Sequence, residues 1–239
     1  MKKKILKAIY TLFDSWALQF SIACRKGCTT CCTRDVMVTA LEAEIIIDFI
    51  SINNEEKWLA AKLDSTLPVC APSYTTNEYA HACLNSTELT PEAGSNGGVC
   101  PFLEDGACSI YSARPFSCRS FASTKICRPG ASAAIPQYYL TAATAVSQVI
   151  EHLGQRYYWG NMLHIIYLLA QQNSKTEDTR YPENKKRFLL AQTSCRTSKP
   201  LPGFLISEDD YPHVEPLITQ IFNTEIDGKR VEDILNNNK

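Results

Sequence analysis

Cys24-Arg-Lys-Gly-Cys28-Thr-Thr-Cys31-Cys32 is the stretch that decides the fold of this chain. A second thiol run answers it: Cys100-Pro-Phe-Leu-Glu-Asp-Gly-Ala-Cys108-Ser-Ile-Tyr-Ser-Ala-Arg114-Pro-Phe-Ser-Cys118-Arg119, followed by Cys127. Eight cysteines in two groups exceed what core packing requires. The total of 11 is odd, so disulfides cannot absorb them all. The pattern predicts a polypeptide folded around one or two metal centres.

Cys24, Cys28 and Cys31 stand at i, i+4 and i+7. They share one face if the segment is helical, and Gly27 permits a tight converging loop if it is not. Neighbouring Cys31 and Cys32 diverge, by about 100° on a helix. They are awkward joint ligands of one ion, which points to two centres or to a cluster drawing on both runs. Eight cysteines match two four-thiolate sites, either closed tetrahedral zinc or cubane iron–sulfur. Either centre keeps about two negative charges. Arg114 and Arg119, tied to Pro115 and Cys118, are the expected partners for that charge beside the cofactor. Lys125 and Arg128 read as surface cations.

Working outward, Lys3 to Ile22 reads as an amphipathic helix whose apolar face is Ile5, Ile9, Leu12, Phe13, Trp16 and Phe20. Val36–Thr39 is β-like, and Thr39 with Glu42 forms a capping box ahead of a helix through Ile50. A further helix covers about Glu55 to Leu63. Pro68 to Val99 loses periodicity and reads as a long loop or substrate-facing insertion, with Cys70, His81 and Cys83 read as semi-buried residues, the alternative being extra ligands. Asp105–Gly106 marks a hairpin that sets Cys108 opposite Leu103. Beyond Pro136 the pattern is helical: Tyr138–Ile150, Gln155–Gln171, Glu183–Thr193, His213–Phe222 and Val231–Leu235. The expected fold is mainly α with a small β-hairpin. A metal-nucleated cysteine-cluster domain over residues 1–133 carries the N-terminal helix, and an α-helical extension over residues 134–239 packs on it.

The net charge of −1 gives no footprint for nucleic acid. Lys7 and Asp14 interrupt the apolar N-terminal run, and no window is long and apolar enough for a membrane span. A cytoplasmic setting follows, where thiols stay reduced and clustered cysteines serve metal or redox chemistry. His152 and His164 lie in helical runs among apolar neighbours and read as core histidines. Neither they nor His81 and His213 show metal-ligand spacing.

Taken together, the two runs resemble the YkgJ-type cysteine-cluster family of zinc- or iron-chelating domains. That family has a Cys-x-x-Cys-x-x-Cys-Cys start. Its second segment reads Cys-Pro-Phe-Leu, Gly, Cys-Ser-Ile-Tyr, Arg-Pro and Cys-Arg-x-Phe, closed by a last cysteine. The matching positions are Cys24, Cys28, Cys31 and Cys32, then Cys100–Leu103, Gly106, Cys108–Tyr111, Arg114-Pro115, Cys118–Phe121 and Cys127. The first gap holds three residues here instead of two, so the pattern specifies Cys24 least. The resemblance implies metal ligation by these eight cysteines. Flagellin lysine N-methylases, which hold an iron–sulfur cluster, resemble the same family.

The functions open to such a chain are of three kinds. One is a metal-binding protein holding [4Fe–4S] and/or Zn2+ with a redox or electron-transfer role. Another is a zinc-stabilised scaffold for protein interaction, and the third is a cluster-dependent modifying enzyme. Cys24-x3-Cys28-x2-Cys31 matches the radical-SAM spacing, but the chain lacks the strand–helix alternation of the barrel that carries that chemistry. The partner, protein or small molecule, is left open.

Overall fold

Ile5, Ile9, Phe13 and Ala17 recur every fourth residue, and the helix they specify, α1 (Lys2–Ala17), buries all four. The structure, a computed structural model, describes residues 1–64, 71–90, 98–128, 132–173 and 182–236. α1 ends at Ala17 instead of continuing to Ile22. Strand β1 (Met37–Thr39) follows, then α2 (Ala40–Ile52), opened by the Thr39–Glu42 capping box as the sequence predicts, and α3 (Glu56–Asp64).

Within the stretch read as a loop, the chain forms a helix, α4 (Thr76–Leu84). The Thr75 hydroxyl accepts from Glu78 N, and the Glu78 carboxylate accepts from Thr75 N. This is the same reciprocal cap that starts α2. The helix buries only Asn77, Ala80 and Ala82, so it has no broad apolar stripe to betray it. His81 and Cys83 on α4 are exposed rather than semi-buried, and Cys70 lies outside the described residues.

The hairpin forms in the expected register, β2 (Leu103–Glu104) against β3 (Ala107–Cys108), with Leu103 opposite Cys108. α5 (Phe116–Ser120) and α6 (Gln137–Leu153) come next. The run Gln155–Gln171 then departs from the helical reading. It opens as a strand, β4 (Tyr158–Asn161), and only then becomes α7 (Met162–Asn173). β4 is held by long-range antiparallel pairing, Met37 to Asn161 and Thr39 to Trp159 on one side, Trp159 to Arg196 of β5 (Arg196–Thr197) on the other. α8 (Pro182–Thr193) lies between β4's helix and β5. The chain closes with α9 (Tyr211–Asn223), a second Asp-Gly hairpin of β6 (Glu225–Ile226) and β7 (Lys229–Arg230), and α10 (Val231–Asn236). The fold is mainly α with small antiparallel strand pairs.

Two apolar cores organise these elements. The first joins α1, α6, α9 and α10 through residues such as Leu6, Phe13, Val146, Leu217 and Val231. The second joins β1, α2, α3 and α7 through Val38, Ile46, Leu63 and Ile166, with Phe102 and Ile110 from the second cysteine segment. α2 serves both, since Leu41 belongs to the first and Ala43 and Ile46 to the second. Among the described residues, no helix is long and apolar enough to cross a membrane.

Candidate metal centre

The first cysteine stretch is not helical. It makes two successive turns, closed by Cys28 N donating to Arg25 O at 2.9 Å and Cys32 N donating to Thr29 O at 2.9 Å. Gly27 takes the third position of the first turn at φ +93°, where a side chain is strained. The second stretch is stitched to it by backbone. Arg34 N donates to Gly98 O, Thr33 bridges Val99, and Cys100 N donates to Cys32 O at 3.0 Å.

Each further thiol is carried by an anchored element. Cys108 rides on the hairpin, whose Glu104 is held by Trp58 Nε1 (3.0 Å), Lys62 Nζ (2.6 Å) and Ser109 Oγ (2.6 Å). Those bonds keep the Glu104 carboxyl at about 2, below the usual carboxylate range. Cys118 sits on α5, which is fixed by Phe116 N donating to Glu42 (2.9 Å) and Ser117 Oγ donating to Met37 O (2.7 Å). Cys24 is placed by Ala23 N donating to Ser123 O (2.8 Å).

These anchors converge on one cavity of about 650 Å3 where the two cores meet, bounded by Ala17, Ala122 and Tyr139 of the first and Ile110 and Met162 of the second. Seven of the eight predicted cysteines line it: Cys24, Cys28, Cys31, Cys32, Cys100, Cys108 and Cys118. Cys127 stands outside the lining, close enough to Cys24 for the two charges to interact. All ten described cysteines carry free thiols. Cys83 and Cys195 take no part in the lining.

Electrostatic neighbourhood sorts the thiols. Burial pushes the Cys24 thiol up, and Cys28 and Cys127 add to it. Cys31, exposed as a residue but turned to the lining, is pushed to about 11 by partial burial of its sulfur, then by Cys32, Cys24 and Cys28. Burial raises Cys100 to about 11, with Cys108 and Cys32 as its neighbours. Cys118 is raised furthest, by burial and then by Cys100, Cys108, Cys32 and Cys31. Cys108 is also raised by burial, but Arg114 and Lys26 pull against it. A metal that takes these sulfurs as thiolates must displace their protons.

Both predicted arginines line the cavity. Arg114 lies 4.1 Å over the Tyr111 ring, and its Nε is buried without a hydrogen-bond partner among the described residues. Arg119 directs Nε to Arg114 O, Nη2 to Ser112 O and Nη1 to Asp14 (2.9 Å). Lys125 and Arg128 are exposed. No histidine lines the cavity. His152 is satisfied in the core between Leu201 N and Leu235 O.

Among the described residues, no three Cys, His, Asp or Glu side chains are gathered tightly enough to grip a single ion. The sulfurs instead ring a space. As a donor set they fit zinc or iron, because soft thiolates dominate and Arg114 sets its charge beside Cys108.

Thiols from two distant segments, brought round one cavity of a mainly α fold, define a cysteine-cluster domain. Residues 23–142, half of the chain, match the CxxCxxCC family, described as a proposed zinc- or iron-chelating domain, and the chain belongs to that family. No curated protein and no solved structure matches it.

Proposed function

We propose that this protein holds iron–sulfur through its eight cysteines and serves a redox or electron-transfer role in the reducing cytoplasm. The observation that carries the reading is the single cavity ringed by seven of those thiols. A ring around a space suits a polynuclear cluster, whose metal and sulfide atoms fill it, better than one ion. The thiols interact round the whole ring, Cys31 with Cys32 and Cys32 with Cys28 among them, and it is the arithmetic of eight ligands that divides them into two sets of four. Cys32, Cys100, Cys108 and Cys118 form the inner one, and Cys24, Cys28, Cys31 and Cys127 the outer one. This division assigns the adjacent pair Cys31 and Cys32, whose thiols hydrogen-bond each other where the sequence predicts that they diverge, to neighbouring sites. The inner set takes a [4Fe–4S] cluster, and the outer set takes a second cluster or Zn2+. When bound, a cubane supplies one-electron transfer. Arg114 sets its positive charge beside Cys108, which favours the more negative, reduced state.

Anaerobic purification with metal and sulfide analysis tests this. Brown protein with iron and acid-labile sulfide, reversibly bleached by dithionite, is the expected result. Colourless protein with stoichiometric zinc removes the iron–sulfur reading. A purely structural zinc scaffold is the weaker alternative, because two apolar cores already hold the fold and leave no small core for a metal to replace.

A further inference from the structure

The rim of the cavity differs in charge from the rest of the chain. Residues 15–34 and 106–128, which frame it, hold seven Lys and Arg and no Asp or Glu, although the whole chain has a net charge of −1. Four of the seven, Arg25, Lys26, Lys125 and Arg128, are exposed, and none of their side chains has an ion pair or hydrogen bond among the described residues. Arg25 lines the cavity, and the charge of Lys26 reaches Cys108. Lys125 is tied through its backbone to Ser123, whose carbonyl holds Ala23 beside Cys24. Of the acids that border these stretches, Asp14 is paired with Arg119 at 2.9 Å, Asp35 lines the cavity and Asp105 is exposed at the hairpin tip. The negative charge of a loaded centre lies inside, with Arg114 beside Cys108 to offset it.

Three large apolar side chains accompany these cations into solvent: Leu18 (83% exposed), Ile126 (82%) and Phe121 (59%). Leu18 and Phe121 line the cavity, and Ile126 stands between Lys125 and Cys127 in the chain. Apolar groups among charged ones are the anatomy of a protein–protein interface. Nucleic acid is less well served, because two of the three are aliphatic and offer no ring for a base to stack on. Cys31, exposed and lining the same cavity, brings the outer ligand set to the surface at this collar.

We infer that the collar docks an acidic one-electron carrier protein, whose Asp and Glu meet the four exposed cations while its apolar surface covers Leu18, Phe121 and Ile126. The inference rests on the redox reading above. In the complex one electron passes between the carrier's centre and the cluster. One is oxidised and the other reduced by a single unit, and no bond is made or broken. Encounters of this kind are small, transient and steered by charge, which suits a collar of this composition.

The test is calorimetric titration of anaerobically purified, iron-loaded protein with a plant-type [2Fe–2S] ferredoxin, an acidic one-electron carrier. Iron content and bleaching by dithionite are measured on the same sample, and binding is expressed per iron-loaded chain. One-to-one binding is expected at about 20 mM salt, weakening at least about tenfold by about 300 mM. Lys125→Gln/Arg128→Gln should bind about fivefold more weakly at low salt and show a flatter salt dependence, whereas Lys185→Gln/Lys186→Gln, the same change of charge on α8, should stay within about twofold. Leu18→Gln, which alters neither charge nor thiol, should weaken binding about threefold and keep the salt dependence. Bleachable, iron-loaded protein that does not bind the carrier, or binds it equally in the two charge variants or in Leu18→Gln, overturns this inference alone. So does a polythymidine oligonucleotide that binds more tightly than the carrier. Protein without iron, or with iron that dithionite does not reduce, overturns the redox reading and this inference with it.

Discussion

Glu42 has the most concentrated structural task of any single residue. Fully buried within α2's first turn, its carboxylate accepts from Thr39 N (2.8 Å), Thr39 Oγ1 (3.1 Å), Tyr10 Oη (2.9 Å) and Phe116 N (2.9 Å). It thereby ties α1 and α2 to the short helix that carries Cys118. Burial pushes its carboxyl up, while those donors hold it down. Glu42→Ala strands several buried donors and should cost about 3 kcal/mol or more in urea denaturation. It should also lower the metal retained per chain. Glu44→Ala, which removes a half-exposed ion pair with Lys3, should cost under about 1 kcal/mol and leave metal unchanged.

His164 makes the opposite case, a buried polar group with no evident use. Its residue is 0% exposed, and neither ring nitrogen has a partner among the described residues. Burial lowers its pKa from 6.5 to about 4. The unfolded chain therefore takes up a proton, as pH falls below 6.5, that the folded chain refuses. Stability should drop progressively from pH 6.5 to about 4, by roughly 3 kcal/mol from this residue. His164→Phe should be more stable at neutral pH and show a flatter acid limb in urea titrations at several pH values. An identical slope for wild type and variant would sink this account.

At the scale of elements, two hairpins offer a matched comparison. Asp105–Gly106 and Asp227–Gly228 both turn with positive φ at each central residue, 48° and 74° in one, 52° and 77° in the other. A β-branched residue at either glycine should cost a similar amount, about 1–3 kcal/mol. Only Gly106→Val disturbs a strand that bears a cavity thiol. Gly106→Val should lose bound metal, whereas Gly228→Val should lose stability alone, as read by metal analysis beside thermal melts. The same locality explains what could be read in advance. An Asp-Gly turn or a Thr-x-x-Glu cap is written in four residues, so the first hairpin and the start of α2 were legible. α4 carries the same cap, but its sparse apolar face hid it. β4 was hidden for another reason: Tyr158–Asn161 becomes a strand by pairing with β1 and β5, partners far away in sequence.

For the molecule as a whole, the two cores are built of side chains other than the thiols, although the cavity lies where they meet and Cys100 and Cys108 pack against the second. Removing metal with a chelator should therefore leave most of the far-UV helical signal and a cooperative unfolding transition, and loosen chiefly the turns from Cys24 to Cys32. Hydrogen exchange is the measurement, and global loss of protection would contradict it. The thiol side of the cavity was legible because cysteines announce their chemistry by type and spacing. The apolar side was not. Tyr139 and Ala17 read as ordinary helix positions, and only packing shows that they face the sulfurs across the junction of the cores.

Cys31 is exposed, whereas the Cys118 sulfur, lining the same cavity, is largely shielded by the surrounding fold. Dissolved oxygen thus has an unequal path to the two sets of sulfurs, and damage in air begins at the rim. Mass spectrometry of air-aged protein should find sulfinic and sulfonic acids at Cys31 well before Cys118. Material handled on an open bench would then lose the outer site first, and metal counts taken from it would describe half a protein.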